Sequence, residues 1–338
     1  MSPHNPLLEL AYVMPKTELH LHIEGTLEAE HMFAMAQRNR TNLAYNSIEE
    51  VLRAYQFENL QDFLNLYYQG MSVLITEQDF YDLTMAYLTK VHQQNVVHVE
   101  IFFDPQGHLE RGIDMATQIS GISRALEDAQ KQWNMSFKLI MSFLRHMSED
   151  EAFLTLELAK PHLDKIYAVG LDSSEVGHPP EKFLRVFQAC QALGLKVTMH
   201  AGEEGPPDYI WQTIDLIKAN RIDHGNSALE DAALVKYIQE KQLTLTVCPL
   251  SNHKLSVVDD MAKHPIRSML AQGLKATVNS DDPAYFGGYM NENYCALIEQ
   301  TQLTKDELYQ LAKNSFEGSW MDEPRKQHFL TKIDDLFA

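Results

Sequence analysis

The stretch Lys16-Thr17-Glu18-Leu19-His20-Leu21-His22-Ile23-Glu24-Gly25 lies near the N-terminus and alternates polar and apolar side chains. This period of two predicts a β-strand with leucine and isoleucine on one face and histidine and glutamate on the other. Alternate residues of a strand lie roughly 6.6 Å apart, so His20 and His22 can turn their ring nitrogens towards one metal ion. An H-x-H pair by itself also fits a strand that exposes two ordinary histidines. The remaining metal ligands have to come from elsewhere in the chain.

Composition and charge indicate an ordinary globular protein. Of the 338 residues, 45% are hydrophobic and 22% are charged. The 28 Lys and Arg residues against 47 Asp and Glu residues give a formal charge of −19. Because this charge repels phosphate backbones and anionic lipid surfaces, neither nucleic acid nor a membrane is an expected partner.

The N-terminal residues and the cysteines indicate a cytoplasmic protein. Residues 1–6 carry no basic segment followed by an apolar run, and no stretch of about 18 apolar residues occurs. Cys190, Cys248 and Cys295 are widely spaced, so they offer neither a disulfide framework nor a Cys-x-x-Cys site. Any metal must then be held by nitrogen and oxygen atoms. The sequence leaves the oligomeric state open.

After the first strand the chain alternates between β-rich and helical patterns. Strands are predicted at 96–103, 138–144, 166–172, 196–200, 221–224, 244–248 and 275–279, and helices at 115–133, 149–159, 181–193, 209–219, 232–239 and 261–271. Parallel strands need a crossover connection, for which a helix is usual, so eight such units predict an α/β fold, a (β/α)8 TIM barrel. We expect one domain over residues 1–338, with closing helices from 304 to 338.

Residues 27–94 are predicted to form a helical insertion beside the end of the first strand. Segments 27–38, 47–55, 59–74 and 77–93 all carry helical patterns, which is more helix than one crossover needs. Its position is that of a lid over the strand ends. We predict that its aromatic side chains pack between helices rather than contact a substrate; they are Phe57, Phe63, Tyr67, Tyr68, Phe80, Tyr81 and Tyr87.

The carboxyl ends of the predicted strands, where such barrels carry their catalytic groups, are rich in polar residues. Their sequences are H-L-H-I-E at 20–24, D-S-S-E at 172–175, H-A-G-E at 200–203, I-D-H-G at 222–225, P-L-S-N at 249–252 and S-D-D-P at 280–283. Three imidazoles and one carboxylate form the usual nitrogen and oxygen set for a single zinc with an open position for water. We predict four metal ligands: His20, His22, His200 and Asp281.

The other strand-end groups are predicted to act on the substrate. Glu203, three residues after His200, is placed to deliver a proton, and His224 to hold or deprotonate the attacking water. Asp282 adjoins the metal carboxylate but points differently, so it is free to bind the substrate. Each motif alone is weak, because Asp-Asp-Pro often forms a turn and a lone histidine is often structural. Several matched strand ends together favour a catalytic site.

The order H-x-H-x-(E/D)-G, H-A-G-E, I-D-H-G and S-D-D-P resembles that of the adenosine/adenine deaminases of the metal-dependent hydrolase superfamily, along essentially the whole chain. The resemblance implies one zinc ion held by His20, His22, His200 and Asp281. It also implies that Glu203 gives a proton to purine nitrogen 1, that His224 assists the water and that Asp282 bonds nitrogen 7. The implied reaction is attack of zinc hydroxide on carbon 6, followed by loss of ammonia.

Two departures from the adenosine deaminase pattern bear on the substrate. Adenosine deaminases have Asp where Glu24 stands, and a Gly-Asp-Glu segment where this chain has Ser173-Ser174-Glu175. Both changes place more bulk and a carboxylate where a ribose begins, and both resemble the adenine deaminase branch. Free adenine has a proton on nitrogen 9 that adenosine lacks, so an acceptor there can discriminate by roughly 10^4. We therefore predict that Glu24 or Glu175 selects the free base, with Ser174 beside it.

The expected function is hydrolytic deamination of adenine to hypoxanthine and ammonia in purine salvage, with adenosine as the alternative substrate. Small zinc deaminases of cytosine and of nucleic-acid bases need P-C-x-x-C, which this chain does not have. Another amidohydrolase of the superfamily stays open, since fold does not fix function, although Glu175 is the only candidate to bridge a second metal. An inactive binding protein would be expected to have lost ligands. Iron or manganese would accept a ligand set similar to that of zinc.

Overall fold

The computed structural model describes residues 5–57 and 60–338, and this part contains one sheet of eight parallel strands in chain order. The strands are β1 (Lys16–His22), β2 (Val96–Phe103), β3 (Ser136–Leu144), β4 (Ala168–Asp172), β5 (Lys196–Ala201), β6 (Arg221–His224), β7 (Thr244–Val247) and β8 (Lys275–Val278). Each lies where the sequence pattern predicts it, and the (β/α)8 barrel is confirmed. Residues 1–4, and residue 59, where a helix is predicted to begin, lie outside the described residues.

Helices follow the strands on the outside of the barrel. In the described part they are α1 (Pro6–Val13), α2 (Ala29–Asn39), α3 (Ile48–Ala54), α4 (Leu60–Gly70), α5 (Glu77–Gln93), α6 (Pro105–Leu109), α7 (Met115–Trp133), α8 (Glu149–Ala159), α9 (Leu184–Ala192), α10 (Pro207–Asp215), α11 (Ala232–Lys241), α12 (Pro249–Lys254), α13 (Ile266–Ala271), α14 (Pro283–Phe286), α15 (Met290–Gln300), α16 (Lys305–Gly318) and α17 (Glu323–Phe337). The sequence pattern did not predict α1. None of these helices is both long and apolar enough to cross a membrane.

Local sequence explains where several helices begin and end. Thr76, Ser148 and Thr304 begin α5, α8 and α16 with capping boxes, in which the hydroxyl and a carboxylate three residues later each bond the other residue's backbone N–H. Gly194 and Gly273 follow α9 and α13 with φ of +86° and +71°. This left-handed conformation suits glycine and turns the chain back into the next strand.

The barrel closes through a short contact between β1 and the residues after β8. The Asp281 N–H donates to the His20 carbonyl at 3.2 Å, and the His22 N–H donates to the Asp281 carbonyl at 3.0 Å. Further down, the Leu19 N–H donates to the side-chain oxygen of Asn279 at 2.9 Å. Closure therefore brings Asp281 against both histidines of the H-x-H pair.

The described part of the segment 27–94 contains helices α2 to α5, and the last of them has an ordinary place in the barrel. Helix α5 packs against α7 and β2, the position of a crossover helix between β1 and β2. Only α2, α3 and α4 are therefore additional to the barrel. Of these, α4 lies over the carboxyl ends of the strands and lines the cavity there.

The amino-terminal end of the barrel interior is closed by a buried ion pair under an aromatic ring. The Arg221 guanidinium pairs with Glu100 and lies 4.2 Å from the centroid of the Trp320 ring. Arg221 also donates to the Leu19 carbonyl at 2.9 Å. Charge pairing at this end serves stability, because the catalytic face of such a barrel is the opposite end.

Candidate active site

Four buried side chains from β1, β5 and the turn after β8 meet at one point. The Nε2 atoms of His20 and His22 lie 3.1 Å and 3.2 Å from His200 Nε2. Asp281 Oδ1 lies 3.3 Å from His20 Nε2 and 3.5 Å from His22 Nε2. These are the four residues that the sequence predicts as metal ligands, and the fold brings all of them together. We call them the ligand quartet.

The spacing of the ligand quartet fits a bound metal ion. Zinc binds imidazole nitrogen and carboxylate oxygen at about 2.0–2.2 Å, so adjacent corners of a tetrahedral site lie about 3.3–3.6 Å apart. The four separations given above, 3.1 to 3.5 Å, are close to that range. Ring nitrogens whose lone pairs face each other at this distance repel unless a cation lies between them. The donor set, three nitrogens and one oxygen, would fill the four corners of such a site, so a water would bind the metal as a fifth ligand.

The charge states of three quartet members suit metal binding. Burial, followed by the neighbouring rings of His20 and His224, holds the pKa of His200 well below its usual range. Burial likewise lowers the pKa of His22. Burial alone would raise the pKa of Asp281, but the adjacent His20 brings it well below its usual range. Burial also acts to lower the pKa of His20, but Asp281 raises it above its usual value, so a metal ion would replace a proton there, since neutral imidazoles and ionised carboxylates are the forms that coordinate a metal.

A hydroxyl and a buried carboxylate fix the orientation of His20. Thr246 Oγ1 lies 3.0 Å from His20 Nδ1 and donates its proton to Asp223 Oδ1 at 2.7 Å. Because that proton is already committed, the Thr246 oxygen accepts the Nδ1 proton of His20. Thr198 donates to the second oxygen of Asp223 at 2.6 Å. His20 therefore presents an unprotonated Nε2 to the quartet, as metal-binding histidines do when a neighbour holds the other nitrogen.

Glu203 and His224 lie side by side next to the quartet. His224 Nε2 is 3.5 Å from Glu203 Oε2 and 3.9 Å from Asp281 Oδ2. The Asn252 amide donates to His224 Nδ1 at 3.2 Å, which leaves the ring proton on Nε2, facing these carboxylates. Burial, then the nearby Asp281 and Glu175, raises the pKa of Glu203 well above its usual range, and burial lowers the pKa of His224 to about 3. The raised pKa favours the protonated form of Glu203.

Asp282 reaches the same cavity because the residue opposite it is a glycine. A Cβ atom at Gly25 would clash with the Asp282 carboxylate, so the glycine of the first motif is required for this close approach. Asp282 Oδ1 is buried and has no hydrogen-bond partner among the described residues. Burial, then the adjacent Asp281, raises the pKa of Asp282 well above its usual range. The raised pKa favours the protonated form of Asp282, whose side chain lines the cavity.

The cavity over the quartet has a free volume of about 40 Å³ and is roofed by α4. This helix contributes aromatic side chains that the sequence analysis assigned to helix packing: Phe63, Tyr67 and Tyr68. Phe63 and Tyr67 belong to the hydrophobic core and Tyr68 packs against it, as predicted, while all three also line the cavity; whether they contact a substrate stays a prediction. Phe80 and Tyr87, on the crossover helix α5, are in the core as predicted.

The three other predicted substrate residues have protein partners and are not among the residues that line the cavity. Glu24 Oε1 accepts from His108 Nε2 at 2.8 Å and from the Asp104 N–H at 3.1 Å. Glu175 accepts backbone N–H groups of residues 202, 204 and 205 at 2.7–2.8 Å. Ser174 donates to Gln61 on α4 at 3.0 Å. Their contact with substrate stays a prediction.

Among the aspartate, glutamate, histidine and serine residues that line the cavity, three were not predicted as site residues: Asp104, Asp172 and Ser173. Asp172 Oδ2 lies 3.4 Å from His22 Nδ1, the ring nitrogen turned away from the quartet. Asp104 directly follows β2 and precedes Pro105, so an Asp-Pro step at a strand end was a signal that could have found it. Asn252, which orients His224, lies in a strand-end motif that received no role.

Comparison with known proteins agrees with this geometry. The sequence profile of the adenosine deaminase family matches residues 15–336. The chain belongs to the adenosine deaminase family. Among curated family members, the adenine deaminase of Marinomonas sp. (strain MWYL1) is 68% identical over 98% of this chain and 99% of its own length. That of Acinetobacter baylyi is 54% identical, covering 97% of this chain and 99% of its own.

Solved structures of the family superpose on the whole barrel. The crystal structure of adenine deaminase from Arthrobacter aurescens has a TM-score of 0.94 and 46% identity, covering 96% of this chain and 99% of its own. An amidohydrolase from Burkholderia ambifaria with bound zinc has a TM-score of 0.90 and 26% identity, covering 99% of this chain and 95% of its own. The additional helices α2 to α4 are therefore part of a shared architecture, since these matches cover nearly the whole chain.

Proposed function

We propose that this member of the adenosine deaminase family is an adenine deaminase, which hydrolyses adenine to hypoxanthine and ammonia. The observation that carries the proposal is one buried cavity in which the ligand quartet adjoins two carboxyls with a raised pKa, Glu203 and Asp282. Deamination at carbon 6 needs a metal-activated water and a proton for a ring nitrogen, and this cavity has groups for both. Curated relatives named adenine deaminase, at 54% and 68% identity, support adenine as the substrate.

The metal in this proposal is one zinc ion per chain, held by the ligand quartet. The Burkholderia ambifaria amidohydrolase, with zinc bound on the same fold, supports that choice. Zinc lowers the pKa of a bound water to about 7, which makes hydroxide available at neutral pH.

The side chains of this protein have separate tasks around the purine. Glu203, in its protonated form, gives its proton to nitrogen 1 and so makes carbon 6 more electrophilic. His224, held by Asn252, bonds the attacking oxygen through Nε2 and keeps it in line with carbon 6. Asp282 donates its proton to nitrogen 7, an acceptor in the free base. Burial of all three groups strengthens these hydrogen bonds because water is excluded.

The test is a comparison of adenine and adenosine as substrates of the purified, zinc-loaded protein. Loss of the aminopurine absorbance reports deamination, and ammonia release confirms it. We expect adenine to be turned over with a kcat/KM roughly 10^4 times that of adenosine. Equal efficiencies would refute the assignment to adenine, and no turnover of either would leave another amidohydrolase reaction to be sought.

A further inference from the structure

One buried carboxylate oxygen in the cavity has no task in the mechanism above. Asp104 is 3% exposed and lines the cavity at the end of β2. Its Oδ2 accepts the Tyr67 hydroxyl at 2.9 Å, which fixes the carboxyl group. Its Oδ1 has no hydrogen-bond partner among the described residues and lies 4.0 Å from His22 Nδ1. A buried acceptor left without a donor is costly, so a ligand donor is the expected partner.

The order of strands around the barrel indicates which purine atom reaches Asp104. Glu203 follows β5 and Asp282 follows β8, and in the proposed function they bond nitrogens 1 and 7. The strands that run from β5 back to β8 on the other side are β4, β3, β2 and β1. The atoms that face outward between nitrogen 1 and nitrogen 7, on the side away from carbon 6, are carbon 2, nitrogen 3, nitrogen 9 and carbon 8. Taken in the same order as the strands, nitrogen 3 faces β3, and nitrogen 9 faces β2.

Two of the other carboxylates on this side of the cavity are committed to protein groups. Both oxygens of Glu175 accept backbone N–H groups of the turn after β5. Glu24 Oε1 accepts from His108 and from the Asp104 N–H, so Glu24 holds the backbone of Asp104 in place. Asp172 also lines the cavity with both oxygens unpartnered among the described residues, and it lies 3.4 Å from the outward ring nitrogen of His22. Because Asp172 ends β4 whereas Asp104 follows β2, the strand order favours Asp104 as the acceptor opposite nitrogen 9.

We propose that Asp104 Oδ1 accepts the nitrogen 9 proton of the free base and thereby makes the site select adenine over purines substituted at that nitrogen. This inference rests on the proposed function and names a specificity-determining residue for it. A nucleoside or a 9-alkyl purine has carbon in place of that proton. Its binding would leave the buried Asp104 carboxylate unpaired, and a site built around such a hydrogen bond rejects the analogue that lacks it.

The experiment compares adenine with 9-methyladenine, the smallest analogue that lacks the proton. The kcat/KM for each is measured with the wild-type protein and with Asp104→Ala, Asp104→Asn and Glu24→Gln. In Asp104→Ala we expect the kcat/KM for adenine to fall at least about 100-fold, while that for 9-methyladenine stays level or rises, so the preference collapses. Asp104→Asn keeps the shape and an acceptor oxygen without the charge. Its preference for adenine over 9-methyladenine should therefore lie between those of the wild type and Asp104→Ala. Glu24→Gln should lower the kcat/KM for both substrates by the same factor and so keep the preference for adenine.

A structural role alone would reduce activity on both substrates equally, so the ratio of the two is the decisive readout. The inference is overturned if both Asp104 variants keep the wild-type preference, or if Glu24→Gln abolishes it instead. Metal content is measured on the same preparations, because His22, Asp104 and Asp172 carry ligand atoms within 4.8 Å of one another. Two ions in the wild type and one in Asp104→Ala would make Asp104 a metal ligand and also overturn the inference. If the wild type leaves adenine unchanged, the proposed function itself fails.

Discussion

Glu203 is buried beside the ligand quartet with its pKa raised well above the usual range, and Glu204 follows it at the edge of the same turn. Replacing Glu203 by Gln removes the proton donor while preserving size and hydrogen-bonding shape. We expect kcat for adenine to fall by about 10^2 to 10^4 with the bound metal retained, as measured by absorbance assay and metal analysis. Glu204→Gln is the matched control and should stay near wild type. Normal activity in Glu203→Gln would remove this residue from the mechanism.

Thr246 acts on the metal centre only through His20, so its effect should appear in metal affinity. Thr246→Val keeps the shape of the side chain but removes the oxygen that holds His20 Nδ1 at 3.0 Å. We expect zinc affinity, measured by competition with a chelator, to fall about 10- to 100-fold. Thr277 on the neighbouring strand β8 is equally buried and bonds only to a backbone carbonyl and to Asn279, so Thr277→Val should leave zinc affinity unchanged. Equal losses in both variants would contradict the orienting role.

At the scale of elements, helix α4 covers the strand ends and is joined to the loop after β4. Its Tyr68 hydroxyl lies 3.1 Å from Ser173 Oγ, and its Gln61 accepts from Ser174, so two hydrogen bonds join α4 to this loop. The cavity is lined by α4 on one side and by residues at the strand ends on the other. We therefore predict that α4 opens from this loop for substrate entry and product release.

This opening predicts a local effect of product on hydrogen exchange. Saturating hypoxanthine should slow amide exchange in α4 (Leu60–Gly70), because the bound purine contacts its aromatic side chains and stabilises the closed position. Helix α11 (Ala232–Lys241) lies on the outside of the barrel and should show no change, as followed by mass spectrometry. Equal slowing in both helices, or none in α4, would contradict an opening of α4.

At the scale of the whole molecule, the metal joins parts of the chain that are far apart in sequence. The ligand quartet draws on β1, β5 and the turn after β8, so a bound ion holds the closure of the barrel as well as the catalytic centre. Removing zinc with a chelator should abolish activity and lower Tm, and adding zinc should restore both. At a free zinc concentration 100 times Kd the folded state gains about 2.7 kcal/mol. Glu203→Gln should show the same shift in Tm without activity, and full activity of the metal-free protein would contradict the proposed centre.

The two ends of the barrel have different roles: one end stabilises the fold, and the other carries the candidate active site. Arg221, Glu100 and Trp320 close the amino-terminal end, while the quartet and its cavity lie at the opposite end. Asp223 connects the two regions, since it lies 3.5 Å from Arg221 Nε and bonds Thr246 below His20. The orientation of the metal ligand is thus supported from the core of the barrel rather than from solvent-exposed loops.

Much of this architecture could be read from local patterns. The period-two alternation in β1 placed His20 and His22 on one face, and the positions of His200 and Asp281 at strand ends were enough to unite the quartet. Strand alternation with helices predicts a parallel barrel, and a parallel barrel collects its strand ends on one face. Strand period and strand ends are short-range properties of the chain, and one topological rule relates them to the barrel. The barrel and the quartet could therefore be predicted without knowledge of tertiary contacts.

The carboxylate that faces the substrate depended on contacts between residues distant in sequence. Glu24 and Glu175 lie in the motifs that the sequence analysis assigned to substrate selection. In the structure, however, Glu24 accepts from His108 on α6, and Glu175 accepts backbone N–H groups of the turn after β5. Asp104 has no such partner for Oδ1, because Tyr67 on α4 takes only its other oxygen. The sequence alone determined the barrel and predicted the four residues that the fold brings together as the quartet, since strand period and strand ends are local. Only the tertiary structure decided which buried carboxylate is left for the purine, because hydrogen bonds from distant elements had to be assigned first.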